Sequence, residues 1–372
     1  MPDDSVWIDR ARELGARVFA PAAMQVEAAH RVPPEHLDLL AAEGFYGLAG
    51  PREAGGLDVP FPAACRIIEV LAGACLSTTF VWMQHHGVVR AVAGTDNAAL
   101  RQRMLGPLCR GERRAGVALA GLLPGPPRLR ARATEGGYVL DGTSPWVTGW
   151  DYLDTLHVAA RQDDGTIVWA VLDAGLRGGV RPSLTPEPLP AIPEPLATTP
   201  EPLATTPAPL SIAPEPLSIT PEPLAMVAVM ASSTVQLRFA GHPVPEDRVT
   251  GTLPLDQWRS RDAAALRANG SLALGLTARC CELIGPGPLD EQLARCRTAL
   301  DTADPDAMPG ARAAACELAL RATAALVVTQ GSGAILADHD AQRLAREALF
   351  LLVFGSRPPI REALAGLLTR PG

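Results

Sequence analysis

The stretch Gly142-Thr-Ser-Pro-Trp-Val-Thr148 follows a β-type run beside a glycine turn, and the interpretation of the whole chain begins from it. Trp146 and Thr148 stand two residues apart, so on a strand their side chains face the same side of the sheet. An indole next to a hydroxyl suits a flat polar ring such as a flavin. The same two residues are equally consistent with a buried tryptophan and a satisfied threonine, and both interpretations stay open at this point.

The patterns on either side of this stretch divide the chain into three parts. Apolar residues recur at helical spacing up to residue 113, short runs rich in Val, Leu and Thr alternate with glycine turns over 114–250, and helical spacing returns over 251–372. The last part includes one long predicted helix, Gln257–Ile284. We therefore predict an α+β fold in the order N-terminal helical domain, middle β domain and C-terminal helical domain.

A seven-residue unit of the type P-E-P-L-A-T-T repeats across residues 186–224, inside the predicted β domain. Two prolines per unit forbid a coiled coil, since each ring removes a hydrogen-bond donor and blocks the helix. We expect a polyproline-like or disordered excursion from a surface loop. The alternative is a proline-rich ligand for an aromatic groove of another protein.

Composition excludes several classes of function. With 47% hydrophobic and 20% charged residues the chain is globular, and its net charge of −7 gives no basic field for nucleic acid. Every basic residue is an arginine, which excludes a Walker lysine and a Schiff-base lysine. The motifs G-x-G-x-x-G, G-x-S-x-G and H-E-x-x-H do not occur.

Cysteine usage and hydropathy predict a cytoplasmic protein with no membrane partner. The seven cysteines are odd in number and contain no C-x-x-C pair, and no run reaches the roughly 18 apolar residues of a membrane span. The vicinal pairs His85-His86 and Cys280-Cys281 favour ordinary packing over a metal or redox site, because neighbours on a helix point to different faces. We predict no metal.

Further motifs resemble the acyl-CoA dehydrogenase family in order and spacing over nearly the whole chain. They are Glu43-Gly-Phe-Tyr-Gly-Leu48 with Pro51-Arg-Glu-Ala-Gly-Gly-Leu57, Leu105-Gly-Pro-Leu-Cys-Arg-Gly-Glu112, Gly142-Thr-Ser-Pro-Trp-Val-Thr148, Val235-Gln-Leu-Arg-Phe239 with Val244-Pro245, and Gly331-Ser-Gly333 with Arg343-Leu-Ala-Arg346. The resemblance implies an FAD enzyme that oxidises an acyl-CoA thioester to the enoyl form, built from a helical domain, a β barrel and a shortened C-terminal bundle. It also implies a homo- or hetero-oligomer with subunits of this family.

The resemblance assigns cofactor contacts to Trp146, Val147, Thr148, Val117 and Gly331, but it leaves the catalytic base unassigned. The family's usual glutamate position corresponds to Gly355, and the alternative position on the first long C-terminal helix corresponds to Ala265. Asp262, one helical turn earlier, is the nearest acid; the competing interpretation is a charge that only stabilises the helix start.

Two cofactor elements also depart from the family pattern. Residues Ala118-Leu-Ala-Gly-Leu-Leu-Pro-Gly125 replace a polar loop, and Ile284-Gly-Pro-Gly-Pro288 ends the helix that normally carries an arginine towards a neighbouring subunit. The alternatives to a dehydrogenase are therefore a catalytically silent subunit of a heteromeric enzyme, and a flavin enzyme of the same fold with a different reaction.

Overall fold

A computed structural model describes residues 5–174, 218–259 and 261–369. The N-terminal part is helical, as predicted, and a π-helical turn at Gly15–Phe19 joins its first two helices. The helices are α1 Ser5–Leu14, α2 Ala20–Ala28, α3 Pro34–Ala42, α4 Phe61–Ala74, α5 Leu76–Ala93 and α6 Ala98–Cys109. Residues on all sides of α5 are buried, so this helix runs through the interior.

The middle part is a sheet in which β6 and β8 lie at the two ends of the strand order. The order is β6-β7-β3-β2-β4-β5-β8, and β1 pairs in parallel with β4. The strands are β1 Ala115–Ala118, β2 Leu129–Thr134, β3 Gly137–Val147, β4 Thr155–Arg161, β5 Thr166–Asp173, β6 Ile219–Pro223, β7 Val235–Pro245 and β8 Val249–Pro254. The last strand thus extends four residues past the expected boundary at 250.

The end of the proline repeat belongs to this sheet. Strand β6 pairs antiparallel with β7, and Glu222 forms an ion pair with Arg238 at 3.0 Å. The prediction of a polyproline-like excursion is wrong for this segment, because proline is tolerated on an edge strand, where its missing N–H faces no neighbour. Residues 186–217 of the repeat lie outside the described residues. In the sequence, Ser183-Leu-Thr185 precedes the first P-E-P-L unit as Ser218-Ile-Thr220 precedes the last.

The C-terminal part is helical, as predicted, but the long helix expected over Gln257–Ile284 is interrupted near its start. A short helix α7 (Leu255–Arg259) precedes α8 (Ala263–Ile284), and Asp262 occupies the position just before α8 begins. After Gly285 the chain continues with α9 Pro288–Thr302, α10 Met308–Gln330, α11 Asp340–Val353 and α12 Pro358–Leu368. The early end of α8 confirms the stop predicted at Ile284.

Two glycines bring the N-terminal and C-terminal helices into backbone contact. A Cβ atom added to Gly275 of α8 would lie 2.2 Å from the carbonyl oxygen of Glu69 on α4, and one added to Gly73 would lie 2.7 Å from the carbonyl oxygen of Gly275. Only glycine permits this approach. The buried Glu69 also pairs with Arg297 of α9 at 2.5 Å. These contacts hold α4, its neighbour α5 and α8 in one packed body.

Candidate active site

A cavity of about 740 Å³ lies where helices α4, α5 and α8 meet the sheet and the turn after α11. Its volume is in the range that holds a small ligand. Its polar lining residues come from α5 and the loop after it, from the sheet, from α8 and the turn before it, and from the turn after α11. They are Gln84, His86, Arg90, Asp96, His157, Thr250, Thr252, Arg261, Asp262, Asn269 and Arg357.

Gly355 and Ala265, the two positions at which the resemblance predicts a base, both line this cavity. Gly355 has φ +59°, a left-handed conformation that favours glycine, and a Cβ atom there would lie 3.0 Å from Nδ2 of Asn269. Ala265 lies in the first turn of α8. Neither residue offers a proton acceptor, as the sequence indicated.

Asp262, the nearest acid in the sequence, also lines this cavity. Its side chain is 6% exposed and makes no capping hydrogen bond to the start of α8. Its Oδ2 lies 2.6 Å from an Nη atom of Arg357, whereas its Oδ1 has no hydrogen-bond partner. Burial raises the pKa of Asp262 to about 6, although the Arg357 guanidinium opposes the rise. The carboxyl group is therefore partnered on one oxygen, while the other oxygen is buried and has no hydrogen-bond partner.

Arg357 is held between two contacts from the α7–α8 region. Besides its ion pair with Asp262, its Cζ lies 4.7 Å from the centroid of the Trp258 ring, within the distance of a cation–π contact. Burial lowers the pKa of Arg357, and the charge of Asp262 opposes that change. Because all three side chains line the cavity, the ion pair is part of its wall.

The predicted cofactor residues divide into three environments. Val117 lines the cavity, whereas Val147 is buried in the core of the sheet and Gly331 is exposed after α10. Thr148 is buried, and its hydroxyl lies 3.3 Å from that of Thr234. Trp146 is 65% exposed. The structure thus brings only Val117 of this set to the cavity.

The backbone at Trp146 is in an unusual conformation that presents the indole outward. Its φ is +62°, which is rare for a bulky residue, and the pairing of β3 with β7 is irregular between Ser144 and Val147. Such strain is concentrated at functional sites. An exposed indole on a rigid strand fits the flat ring of a flavin, and the buried Thr148 hydroxyl follows it two residues later. The prediction that Trp146 and Thr148 share one side of a strand is wrong, because β3 ends at Val147, and Thr148 is buried with its hydroxyl beside that of Thr234.

Sequence reasoning missed His86, which is a polar group of the cavity. His85 is satisfied, since its Nε2 lies 3.0 Å from the carbonyl oxygen of Leu108 and its Nδ1 accepts a hydrogen bond from the Ala115 N–H at 3.1 Å. His86 is 6% exposed, lines the cavity, and has no partner on either ring nitrogen. Burial holds its pKa well below the ordinary value, so the ring is neutral. Within the described part of the chain, no group of three His, Cys, Asp or Glu residues is placed to hold a metal.

Comparisons with known proteins agree with the fold and the motifs. The family model described as "Acyl-CoA dehydrogenase, N-terminal domain" matches residues 2–112. A 3-sulfinopropanoyl-CoA desulfinase of Variovorax paradoxus is 29% identical over 151 residues, which cover 38% of this chain and 36% of the relative. The chain therefore spans between one third and one half of the length of the curated relatives it matches.

Solved structures match over the full length. Butyryl-CoA dehydrogenase of Megasphaera elsdenii aligns with a TM-score of 0.77 at 14% identity and covers 100% of this chain and 99% of its own. A structure described as PigA with FAD and proline aligns with a TM-score of 0.76 at 15% identity, over 99% and 98% of the two chains. These matches show the order of helical domain, sheet and helical bundle. The family model covers the N-terminal third of this chain, and the solved structures show that the whole chain has the fold of the acyl-CoA dehydrogenases.

No helix in residues 5–174, 218–259 or 261–369 is long and apolar enough to cross a membrane.

Proposed function

We propose that this protein is an FAD-dependent oxidoreductase that introduces an α,β double bond into an acyl-CoA thioester, with Asp262 as the proton acceptor. The observation that carries the proposal is a buried carboxylate with one unpartnered oxygen, in the same cavity wall as Gly355 and Ala265. Support for the cofactor comes from the exposed Trp146 and from a structural neighbour that was solved with FAD. Its dehydrogenase neighbours support the substrate class.

Asp262 supplies the base that the two family positions lack. Its free Oδ1 takes the acidic proton from the carbon next to the thioester carbonyl, and the electron pair left on that carbon forms the double bond as a hydride leaves the β carbon. Trp146 would hold the ring of FAD, and the bound FAD would supply the acceptor for that hydride. With a pKa of about 6, Asp262 is ionised near neutral pH and still basic enough to accept the proton.

Arg357 keeps this base in place. The ion pair on Oδ2 fixes the carboxylate plane and favours its charged form, while the Trp258 ring limits where the guanidinium can move. Arg357 is thus a positioning residue.

The test is turnover of acyl-CoA thioesters with an artificial electron acceptor, together with the absorbance spectrum of the purified protein. We expect a flavin spectrum and measurable turnover, and we expect Asp262→Asn to lower kcat by about 10²- to 10⁴-fold while the flavin stays bound. Asp256→Asn, at an exposed acid of α7, is the matched control that removes the same charge. A flavin-loaded protein that gives no turnover refutes the dehydrogenase and supports the silent subunit.

We also propose that the protein is a homo- or hetero-oligomer of subunits of this family. Large apolar side chains are exposed on the C-terminal domain, namely Val328, Ile335, Leu336, Leu349 and Val353. Leu349 and Val353 stand four residues apart on α11, so they share a face of that helix. Light scattering of the purified protein tests the proposal, since a monomer at micromolar concentration contradicts it.

A cytoplasmic location is the last part of the proposal. The seven cysteines are all unpaired, and six of them are buried. A reducing compartment accounts for this usage, and cell fractionation tests it.

A further inference from the structure

Strand β6 is held on β7 by contacts that depend on particular residues of the repeat, and the first of them come from its start. The Ser218 hydroxyl lies 2.8 Å from Nδ1 of His242, and the Ser218 carbonyl oxygen accepts a hydrogen bond from the Ala240 N–H at 3.0 Å. Ile219 stands opposite the buried Phe239 and packs against the core of the sheet. The start of the strand is thus recognised through a hydroxyl and an aliphatic side chain.

A further contact recognises the carboxylate of the P-E-P unit. Glu222 accepts a hydrogen bond from Nε2 of Gln236 at 2.7 Å, and its other oxygen accepts from Nε and Nη2 of Arg238 at 3.1 and 3.0 Å. A carboxylate held by an amide and a guanidinium has a defined place along the strand. We call the four residues of β7 that make these side-chain contacts, Gln236, Arg238, Phe239 and His242, the β7 edge site.

The same residue types occur elsewhere in the repeat at the same spacing. The pattern S-L/I-x-P-E-P-L is present three times in the chain, at residues 183–189, 211–217 and 218–224. The other three units carry proline or alanine in place of the serine, and alanine or threonine in place of the isoleucine or leucine. Residues 211–217, which lie outside the described residues, therefore carry every residue type by which β6 is recognised.

Exchange of one matching segment for the other requires little rearrangement. Among the described strands β6 lies at the end of the order and pairs with β7 alone, so a replacement displaces no further strand. Prolines occupy the same positions in both segments, and an edge strand tolerates them. The connection to β7 lengthens from the ten residues 225–234 to the 17 residues 218–234, which by loop closure entropy costs only about twofold in occupancy.

A spare copy of the covering segment protects this end of the sheet. Without an occupant, β7 presents a row of unpaired backbone groups, which invites pairing with another chain. With the occupant in place, the outer edge belongs to a strand with two prolines, Pro221 and Pro223, which hinder any pairing beyond it. A second segment that closes the edge when β6 detaches is therefore useful to the chain.

We infer that the β7 edge site is a docking site for the sequence S-L/I-x-P-E-P-L, and that residues 211–217 of the same chain bind there in exchange with β6. The residues that then enter the site are Ser211, Ile212 and Glu215. The inference is independent of the proposed function, because no residue of the β7 edge site lines the cavity.

The experiment compares the full chain with a shortened chain that lacks residues 186–217 and therefore keeps one matching segment. In each chain, β6 is made unfit for the site by the paired substitution Ile219→Asp with Glu222→Lys. The first change places a charge against Phe239, and the second places a cation beside Arg238. Thermal unfolding then shows whether another part of the repeat replaces the altered strand.

The altered strand is expected to lower the thermal midpoint of the shortened chain by about 2–6 °C. In the full chain we expect less than half of that loss, because residues 211–217 take the place of β6. The matched control is Ile212→Asp with Glu215→Lys in the full chain, which leaves β6 intact and the midpoint unchanged. Both paired substitutions together are expected to lower the midpoint of the full chain as far as that of the shortened chain.

The other outcomes contradict the inference. Equal losses in the two chains overturn it, because nothing in the repeat then replaces β6. No loss in either chain shows that β6 does not stabilise the fold, which overturns the docking site itself. If the full chain keeps its midpoint with both paired substitutions, residues 183–189 are the occupant and the assignment to residues 211–217 is wrong.

Amide hydrogen exchange over β7, read by mass spectrometry, gives a second measurement that does not depend on the midpoint. The Ala240 N–H is protected by its hydrogen bond to β6. With β6 altered, we expect this protection to persist in the full chain and to be lost in the shortened chain. Loss of protection in both chains overturns the inference.

Discussion

The perturbed carboxyl group of Asp262 leads to a prediction about how stability depends on pH. Burial raises its pKa in the folded protein from 3.8 to about 6, against the opposing charge of Arg357. Between those two values the folded protein holds the Asp262 proton more tightly than the unfolded chain does. The stabilisation by this group is therefore fully present below about pH 3.8 and is lost as pH rises through about 6.

The size of the effect follows from the two pKa values. The separation between 3.8 and about 6 corresponds to about 3 kcal/mol of unfolding free energy across that window. Asp262→Asn removes the titrating group. The unfolding free energy of the variant is therefore expected to rise by about 3 kcal/mol relative to that of the parent as pH increases from 3.8 to about 6. The lost bond to Arg357 adds a constant offset, because that guanidinium stays charged throughout.

Urea denaturation at several pH values, followed by circular dichroism, measures the difference between variant and parent. Subtracting the two curves removes the contribution of Glu347, another buried acid whose pKa is raised to about 7. Asp256→Asn again serves as the control for removal of one charge. A variant-minus-parent difference that stays flat between about pH 4 and 6.5 refutes the perturbed carboxyl and removes the support for Asp262 as the base.

Three other predictions concern the ring platform, the repeat and the missing glutamate. Trp146→Ala is expected to weaken flavin binding about 3- to 10-fold, as measured by fluorescence titration. Trp146→Phe keeps a flat ring and is expected to retain most of the affinity. Equal losses of affinity in the two variants contradict stacking. Deleting residues 186–220 keeps one P-E-P-L unit after Ser183-Leu-Thr185 and should leave the thermal midpoint nearly unchanged. Deleting residues 186–224 also removes β6 and should lower the midpoint. Equal midpoints for the two deletions would show that β6 contributes nothing to stability. Gly355→Glu is expected to restore turnover in the Asp262→Asn background. It is also expected to cost about 1–2 kcal/mol of stability, because the backbone at this position is left-handed. Gly355→Ala is the control that adds strain alone, and turnover no higher than in that control refutes a base at this position.

The order of the elements was predictable because it depends on local patterns. Helical spacing, glycine turns and β-branched runs identified the three parts, and the stop at Ile284-Gly-Pro-Gly-Pro288 was visible in the residues themselves. The interruption before α8 was not visible, since residues 257–262 carry no proline or glycine to mark it. Strand β6 was also missed, because proline usually argues against a strand and only the edge position on β7 permits it.

The candidate site was predictable in part. The absence of a carboxylate at Gly355 and Ala265 followed from the sequence, and so did the choice of Asp262 as the nearest acid. Whether Asp262 was a helix-start charge or a group facing a cavity depended on its partner, Arg357, which is 95 positions away in the chain. His86 gave no signal of its own, because a histidine beside another histidine in an apolar helix is the same sequence whether or not its nitrogens are satisfied.

The sequence by itself determined the succession of helices, sheet and helices, the resemblance to the acyl-CoA dehydrogenases, and the lack of a carboxylate at Gly355 and Ala265. These properties are written in residue types and in spacings of a few positions, which short-range sterics and burial periodicity convert into local structure. Only the tertiary structure decided that Asp262 keeps one oxygen free beside Arg357, that His86 is buried without a partner, and that Trp146 faces outward. Burial and pairing of polar groups depend on which distant segments pack together, and that packing is set by contacts such as Gly73 on Gly275, which no local pattern specifies.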